Sequence, residues 1–236
     1  IANHFIFFRY LFKRGYCIQT CHGVFPRKEQ PSKFADSYVA ISEEVKAHLQ
    51  ENGFESIIIL NSLNVDRFKI YNKIRDKLST VLSLCHSKEA NSVIAEACKK
   101  LDLQFIEQSK YEEPIWEVEQ LINSADLVIG LGRSAYEAMA CGRPVIVFDS
   151  RHYYHACGDG YVKEVLSESI KFNCSGRFKN KIYSAADLVN EMNKYDPSYR
   201  SFFREFATEQ LNIHHNIRKY LNLKTAHIKP KITWMR

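Results

Sequence analysis

Three features of this 236-residue chain point to an α/β protein built on open, mostly parallel sheets. Short apolar runs recur along it, among them Tyr38–Ile41, Ile57–Leu60, Thr80–Leu84, Leu127–Ile129 and Val145–Phe148, and each reads as a strand covered on both faces. Stretches of helical periodicity alternate with these runs. Finally, residues 125–149, ADLVIGLGRSAYEAMACGRPVIVFD, give a strand, a glycine turn, a helix, a second glycine turn and another strand without interruption, which is a βαβ crossover.

Taken in order, residues 3–14 (NHFIFFRYLFKR) predict a helix that Gly15 stops. Its apolar side packs on an α/β domain; the alternative is a lipid surface, with Arg9, Lys13 and Arg14 at the headgroups. Tyr16–Cys21 reads as a strand ending in His22-Gly23, the end of a strand at which α/β folds place chemistry. Residues 25–33 form a loop. Tyr38–Ile41 is a strand, Ser42 caps the helix after it, Glu43 and Glu44 suit its first turn, and Gly53 ends it. Ile57–Leu60 predicts another buried strand. Residues 66–79 are charged and lack an apolar face, so they read as a connector between domains.

Thr80–Leu84 is the next strand, with Cys85-His86-Ser87-Lys88 as its loop. A helix over 89–100 turns Val93, Ile94 and Ala97 inward. Leu103–Ile106 is a strand and Ile115–Asn123 a helix. In the central stretch, Gly130 and Gly132 allow a sharp turn and close backbone approach. Ser134 is the expected cap of a helix over 135–140, and Gly142 and Pro144 end it. Free N–H groups at this helix start, with Arg133 beside them, suit an anion, the alternative being a turn made for packing alone. After Asp149, SRHYYHACGDGYV reads as a polar, aromatic loop. In it Asp159, between two glycines, is either a turn residue or a ligand contact. FNCSGR, residues 172–177, is a further turn. Helices over 184–194 and 197–221 close the fold, and the basic tail 227–236 reads as frayed or as a weak membrane anchor.

Composition narrows the function classes. The chain is 45% hydrophobic and 25% charged, as soluble globular proteins are, and no apolar run reaches the length of a bilayer span. A net charge of +6 favours anionic small molecules or a membrane surface over nucleic acid. Seven cysteines with no CxxC pair read as reduced, buried thiols of a cytoplasmic protein. The spacing of His152, His155 and Cys157 suggests a metal only weakly, since two surface histidines in a loop give the same pattern. The chain starts at Ile1 without a recognisable signal peptide, and is expected to lack the true beginning of its first domain.

Two stretches carry a family resemblance. FADSYVAISEEVKAHLQENGFESIIILNSLNVDRF resembles the end of the first domain of two-domain, nucleotide-sugar-dependent glycosyltransferases of the GT-B type, in their group-one (retaining) branch. ADLVIGLGRSAYEAMACGRPVIVFD resembles the donor-binding segment of their second domain, EAMACGRPVI being the most specific run. The resemblance covers about residues 16–222 and implies a GT-B-like fold: a partial N-terminal α/β domain (1–65), a linker (66–79), a Rossmann-type donor domain (80–200) and a C-terminal helix and tail (201–236).

It also implies transfer of a sugar from a nucleoside diphosphate sugar, with no further cofactor, to a carbohydrate or lipid-linked acceptor. That work would be done in the cytoplasm or at the inner face of the cell membrane, in cell-surface polysaccharide or glycoconjugate synthesis. By position, Glu137 would take the ribose hydroxyls. The N–H groups of Gly132 to Ser134, following Gly130 and joined by Arg133, would face the diphosphate. Lys88 would also meet the diphosphate, and His22 would lie near the transferred sugar. The absence of a DxD triplet implies no obligatory metal. Ile129 stands where group-one members commonly carry the first of two glutamates. The rival readings are a nucleotide-sugar epimerase of the same shape and a non-catalytic nucleotide-binding module.

Overall fold

The computed structural model describes residues 6, 7, 10–12, 15–108, 114–151 and 153–226. They fall into two compact units, one within residues 1–60 and 213–236 and the other spanning 61–212. In the first unit, β1 (Ile18–Cys21), β2 (Ser37–Ala40) and β3 (Ser56–Ile58) form a parallel sheet in that order. Helix α1 (Glu43–Glu51) starts as expected at Ser42, whose Oγ accepts from Val45 N at 3.3 Å. Val45 and Leu49 of this helix pack on Cys21, Ala40 and Ile41. β3 corrects the buried strand expected over Ile57–Leu60. It is an edge strand, so Ile57 is 40% exposed and burial resumes only at Ile59.

The second unit runs β4 (Thr80–Ser83), α2 (Lys88–Lys100), β5 (Gln104–Glu107), α3 (Val118–Ser124), β6 (Leu127–Gly130), α4 (Arg133–Ala140), β7 (Val145–Arg151), β8 (Tyr154–Tyr161), α5 (Leu166–Ser169), α6 (Ala185–Met192) and α7 (Arg200–Gln210). The last helix, α8 (Ile213–Ala226), returns to the first unit, where Tyr220 OH meets Thr20 Oγ1 at 3.1 Å. The sheet order is β5-β4-β6-β7-β8. β4, β5, β6 and β7 are parallel, and β4 and β6 are buried along their whole length, as their apolar runs require. The chain enters at β4, steps to one side for β5, then crosses to the other for β6. That order creates a topological switch point between the ends of β4 and β6.

Four further expectations change. The polar loop after Asp149 is a strand: β8 pairs antiparallel with β7. Gly158 serves the pairing rather than a turn, since a Cβ there would lie 2.4 Å from the Val147 carbonyl oxygen, and Gly160, at φ +76°, leaves room for the side chains of Tyr183 and Glu191. The long helix read over 197–221 breaks between α7 and α8, where Leu63 N donates to Leu211 O at 2.7 Å. Residues 66–79 are not a free connector, because Asn123 binds their backbone. Its Oδ1 accepts from Tyr71 N at 2.8 Å and its Nδ2 donates to Lys69 O at 2.9 Å. Helix α3 begins at Val118, three residues later than read, leaving Ile115 and Trp116 in an exposed approach segment. The helix read over 3–14 and the tail 227–236 lie largely or wholly outside the described residues, although residues 6, 7, 10 and 11 are helical.

All seven cysteines are free thiols, six of them buried and Cys17 half-buried. No helix of the described residues is long and apolar enough to cross a membrane.

Candidate functional site

The switch point carries a cavity of about 260 Å³, lined by Leu84, His86, Gln108, Ile115, Val118, Arg133, Ser134 and Glu137. Each part of the wall comes from the carboxyl side of a strand or the start of a helix. Leu84 and His86 follow β4, Gln108 follows β5, Ile115 leads into α3 and Val118 begins it, and the last three open α4. Gly130 lets α4 start this close to the sheet: a Cβ there would come within 3.1 Å of Ser134 Cβ and 3.6 Å of Leu84 Cβ. Gly132, with φ +56° and ψ −117°, occupies a backbone conformation L side chains rarely adopt.

Gly132, not Ser134, is the N-cap of α4, and no side chain caps the helix. Ser134 is instead a helical residue facing the cavity, which leaves its hydroxyl for the wall rather than for the backbone. The turn also spends part of the expected anion cradle. Gly132 N donates to Cys174 O at 2.8 Å, and Ser134 N to Leu131 O at 3.3 Å. Cys174 reaches Gly132 because Asn173 and Cys174 both hold positive φ, 56° and 46°, in the turn after α5.

Arg133 and Glu137 are four residues apart on α4, and Arg133 Nε donates to Glu137 Oε1 at 2.8 Å. The arginine side chain is 64% exposed and the glutamate 12%. Burial pushes the Glu137 carboxyl above its usual range, with Arg133 and then Arg67 pulling the other way. An anionic ligand would meet Arg133 at the open side of the cavity and Glu137, a hydroxyl acceptor, farther in. On the opposite flank, Asp149 at the end of β7 accepts from His86 N at 3.2 Å and Ser150 N at 2.7 Å, so it fixes the loop between β4 and α2. Burial raises its carboxyl too, against the nearby Arg151 and the backbone donors.

Of the residues singled out in the sequence, the cavity brings together Arg133, Ser134 and Glu137, with Gly130 and Gly132 forming the turn behind them. Lys88 is the first residue of α2 and exposed; it stands on the β4 loop but does not line the cavity. His22 is exposed just past β1, in the first unit. Asp159 does not line the cavity. It lies in β8 with no exposure, and its carboxylate accepts from Ser169 Oγ and, at 2.9 Å, from Lys179 N. That carboxylate ties the 169–179 segment to the sheet.

The metal reading fares no better. Among the described residues no group of three His, Cys, Asp or Glu could hold an ion, His155 Nε2 is 3.0 Å from Asn180 Oδ1, and His152 lies outside the described residues.

Sequence reasoning passed over His86, Gln108, Ile115 and Val118 as wall residues. His86 carried a usable signal, since it follows a buried strand directly. The other three depend on how loops fold back, which local pattern does not encode.

No protein-family model and no curated protein matches the sequence. Among solved structures the chain is similar to a mutant of TarM from S. aureus, crystallised with Fondaparinux, alpha-GlcNAc-glycerol and UDP. The identity is 16% and the TM-score 0.48, over 86% of this chain and 48% of TarM. It is also similar to the lipopolysaccharide outer core galactosyltransferase WaaB in its apo form, at 15% identity and a TM-score of 0.40, over 88% of this chain and 71% of that one. The chain thus spans about half the length of TarM.

Proposed function

We propose that this chain is part of a glycosyltransferase that takes a sugar from a nucleoside diphosphate sugar and places it on a glycan, lipid or other acceptor hydroxyl. The observation that carries the reading is the cavity at the switch point, with Arg133 at its open side and the half-buried Glu137 on its wall. At about 260 Å³ it lies just below the range of pockets that enclose whole drug-sized ligands, so part of a sugar nucleotide would project from it. Ribose hydroxyls would donate to Glu137. The diphosphate would draw Arg133 out of its pair, with Lys88 adding a point charge from the start of α2.

In the reaction the bond from the sugar C1 to the diphosphate oxygen breaks with its electron pair on the diphosphate. The acceptor oxygen bonds to C1, and the hydroxyl proton leaves to the released nucleotide or to buffer. Charge develops on the leaving diphosphate, so fixed cations aimed there lower the barrier most. No metal is assigned a part in this reading. Cytoplasmic nucleotide sugars and a lipid-linked acceptor at the inner face of the membrane fit the excess of basic residues.

Calorimetry against UDP, GDP, CDP and pyrophosphate tests the proposal. One nucleoside diphosphate should bind at least about tenfold more tightly than pyrophosphate, the margin that ribose and base contacts supply. Glu137→Ala should erase most of that margin without weakening pyrophosphate binding, since Arg133 no longer has to leave its pair. No preference for any nucleotide over pyrophosphate would end the transferase reading. Epimerised donor sugar without glycoside would move the assignment to an epimerase.

A further inference from the structure

Arg67 lies in the stretch whose charge and lack of an apolar face mark it in the sequence as a connector. In the fold it serves the wall of the cavity. Its Nη2 donates to Trp116 O and, at 2.8 Å, to Glu119 Oε2, which its Nε also meets at 3.1 Å. Trp116 is 89% exposed, so its indole packing does not hold this segment; its carbonyl is held from the side by the guanidinium. Glu119 is 8% exposed and sits in the first turn of α3. Between and beside these two anchors are Ile115 and Val118, which line the cavity together with Arg133, Ser134 and Glu137.

Charge ties the same groups together. Burial is the strongest single influence and would raise the Glu119 carboxyl, but the hydrogen bond and charge of Arg67, together with a backbone hydrogen bond, leave it below its usual range. Glu119 in turn raises Glu137, and Arg67 lowers it. Two buried carboxylates next to one cavity repel each other unless a cation stands with them. Arg133 answers Glu137 from the solvent side of α4, and Arg67 answers Glu119 from the other flank.

We propose that Arg67 is a positioning residue of the nucleotide site: its two-pronged grip on Trp116 O and Glu119 holds the Ile115–Val118 wall in place and neutralises the Glu119 carboxylate at the root of that wall. This rests on the nucleotide-binding reading of the cavity. Arg67 touches no ligand in it. Lysine keeps the charge but offers a single ammonium where the guanidinium offers a planar fork, so the two functions of Arg67 separate in that variant.

The test compares the whole chain with Arg67→Ala and Arg67→Lys in two measurements. One is the carboxyl titration of Glu119 by carbon NMR, which needs no ligand; the other is calorimetry with UDP and with pyrophosphate. In Arg67→Ala, Glu119 should titrate at higher pH than in the unmodified chain, and UDP affinity should fall about tenfold while pyrophosphate affinity changes by less than about twofold. Arg67→Lys should restore the Glu119 midpoint yet leave UDP binding about threefold weak. A folded Arg67→Ala with an unmoved Glu119 midpoint and UDP affinity within about twofold of the unmodified chain overturns the proposal. If Arg67→Ala does not fold, Arg67→Lys decides: unchanged UDP affinity overturns it. If the unmodified chain binds no nucleoside diphosphate, the nucleotide reading fails; the titration still judges the charge link, and an unmoved midpoint overturns that as well.

Discussion

At the edge where β6 begins, Asp126 is closed off by donors; at the edge where β6 ends, Glu137 faces a cavity. Asp126 is 2% exposed. Its Oδ1 accepts from Arg75 N at 3.3 Å, and its Oδ2 from Ser79 N, Thr80 N and Arg75 Nη1 at 3.1, 2.9 and 3.0 Å. Beside it, Arg143 is fully buried and donates to Asn123 O at 2.8 Å and Asn72 O at 3.0 Å. Glu137 accepts from Arg133, whose side chain is mostly in solvent, and burial has raised its carboxyl. Similar residue types therefore serve opposite ends. A carboxylate surrounded by backbone donors is committed to the fold, whereas one held by a single exposed arginine retains capacity for a ligand.

The sharpest way to break this contrast is Asp126→Ala. It takes the acceptor from the amides of Ser79 and the buried Thr80 and from Arg75 N, at an expected cost of about 3 kcal/mol in denaturant unfolding. Nucleotide affinity of the folded molecules should stay within about twofold. A loss of affinity in a variant that remains as stable as the original would mean that the closed end is coupled to the open one, and the division drawn above would fall.

Gly132→Ala tests the turn that separates β6 from α4. The new methyl must adopt φ +56° and approach Asn173 Nδ2 to 3.3 Å, so a destabilisation of about 1–2 kcal/mol is expected. Because the turn sets where Arg133 stands, pyrophosphate affinity should drop along with stability. Full retention of both would show that the glycine is a matter of history rather than of geometry.

Much of this layout was legible in the sequence, for reasons that particular residues make clear. The runs at 80–84, 127–129 and 145–148 are apolar throughout because both faces of those strands are covered, and such runs declare themselves. Ser42 capped its helix as read, because a cap acts over three residues and is a local signal. β8 was hidden for the opposite reason. Its glycines and Asp159 look like turn residues, yet their justification lies in distant partners: Val147 for Gly158, Tyr183 and Glu191 for Gly160, and Lys179 N for Asp159. Arg67 was illegible in the same way, since its partners lie 49 and 52 residues along the chain. The pairing of Arg133 with Glu137 went unread too: with Ser134 taken as the cap, Arg133 stood before the helix rather than one turn from Glu137 on it.

The smallest expected effect is the most discriminating. Glu137→Gln keeps the shape of the side chain and removes the charge that burial disfavours. A carboxyl raised in the folded state stabilises the fold while it is protonated, and that contribution is lost as pH rises through the folded value. The glutamine variant escapes the loss. It should therefore match the original at acid pH and exceed it by under about 1 kcal/mol at neutral pH, the gap opening just above the ordinary glutamate range. Over the same neutral range its nucleotide affinity should fall, because an amide is a weaker acceptor for ribose hydroxyls than a carboxylate. A stability gain that comes with lost binding is what a residue kept for its ligand produces. Should the variant instead be less stable at neutral pH, the ion pair with Arg133 would be the reason Glu137 is charged, and the residue would join Asp126 on the structural side of the sheet.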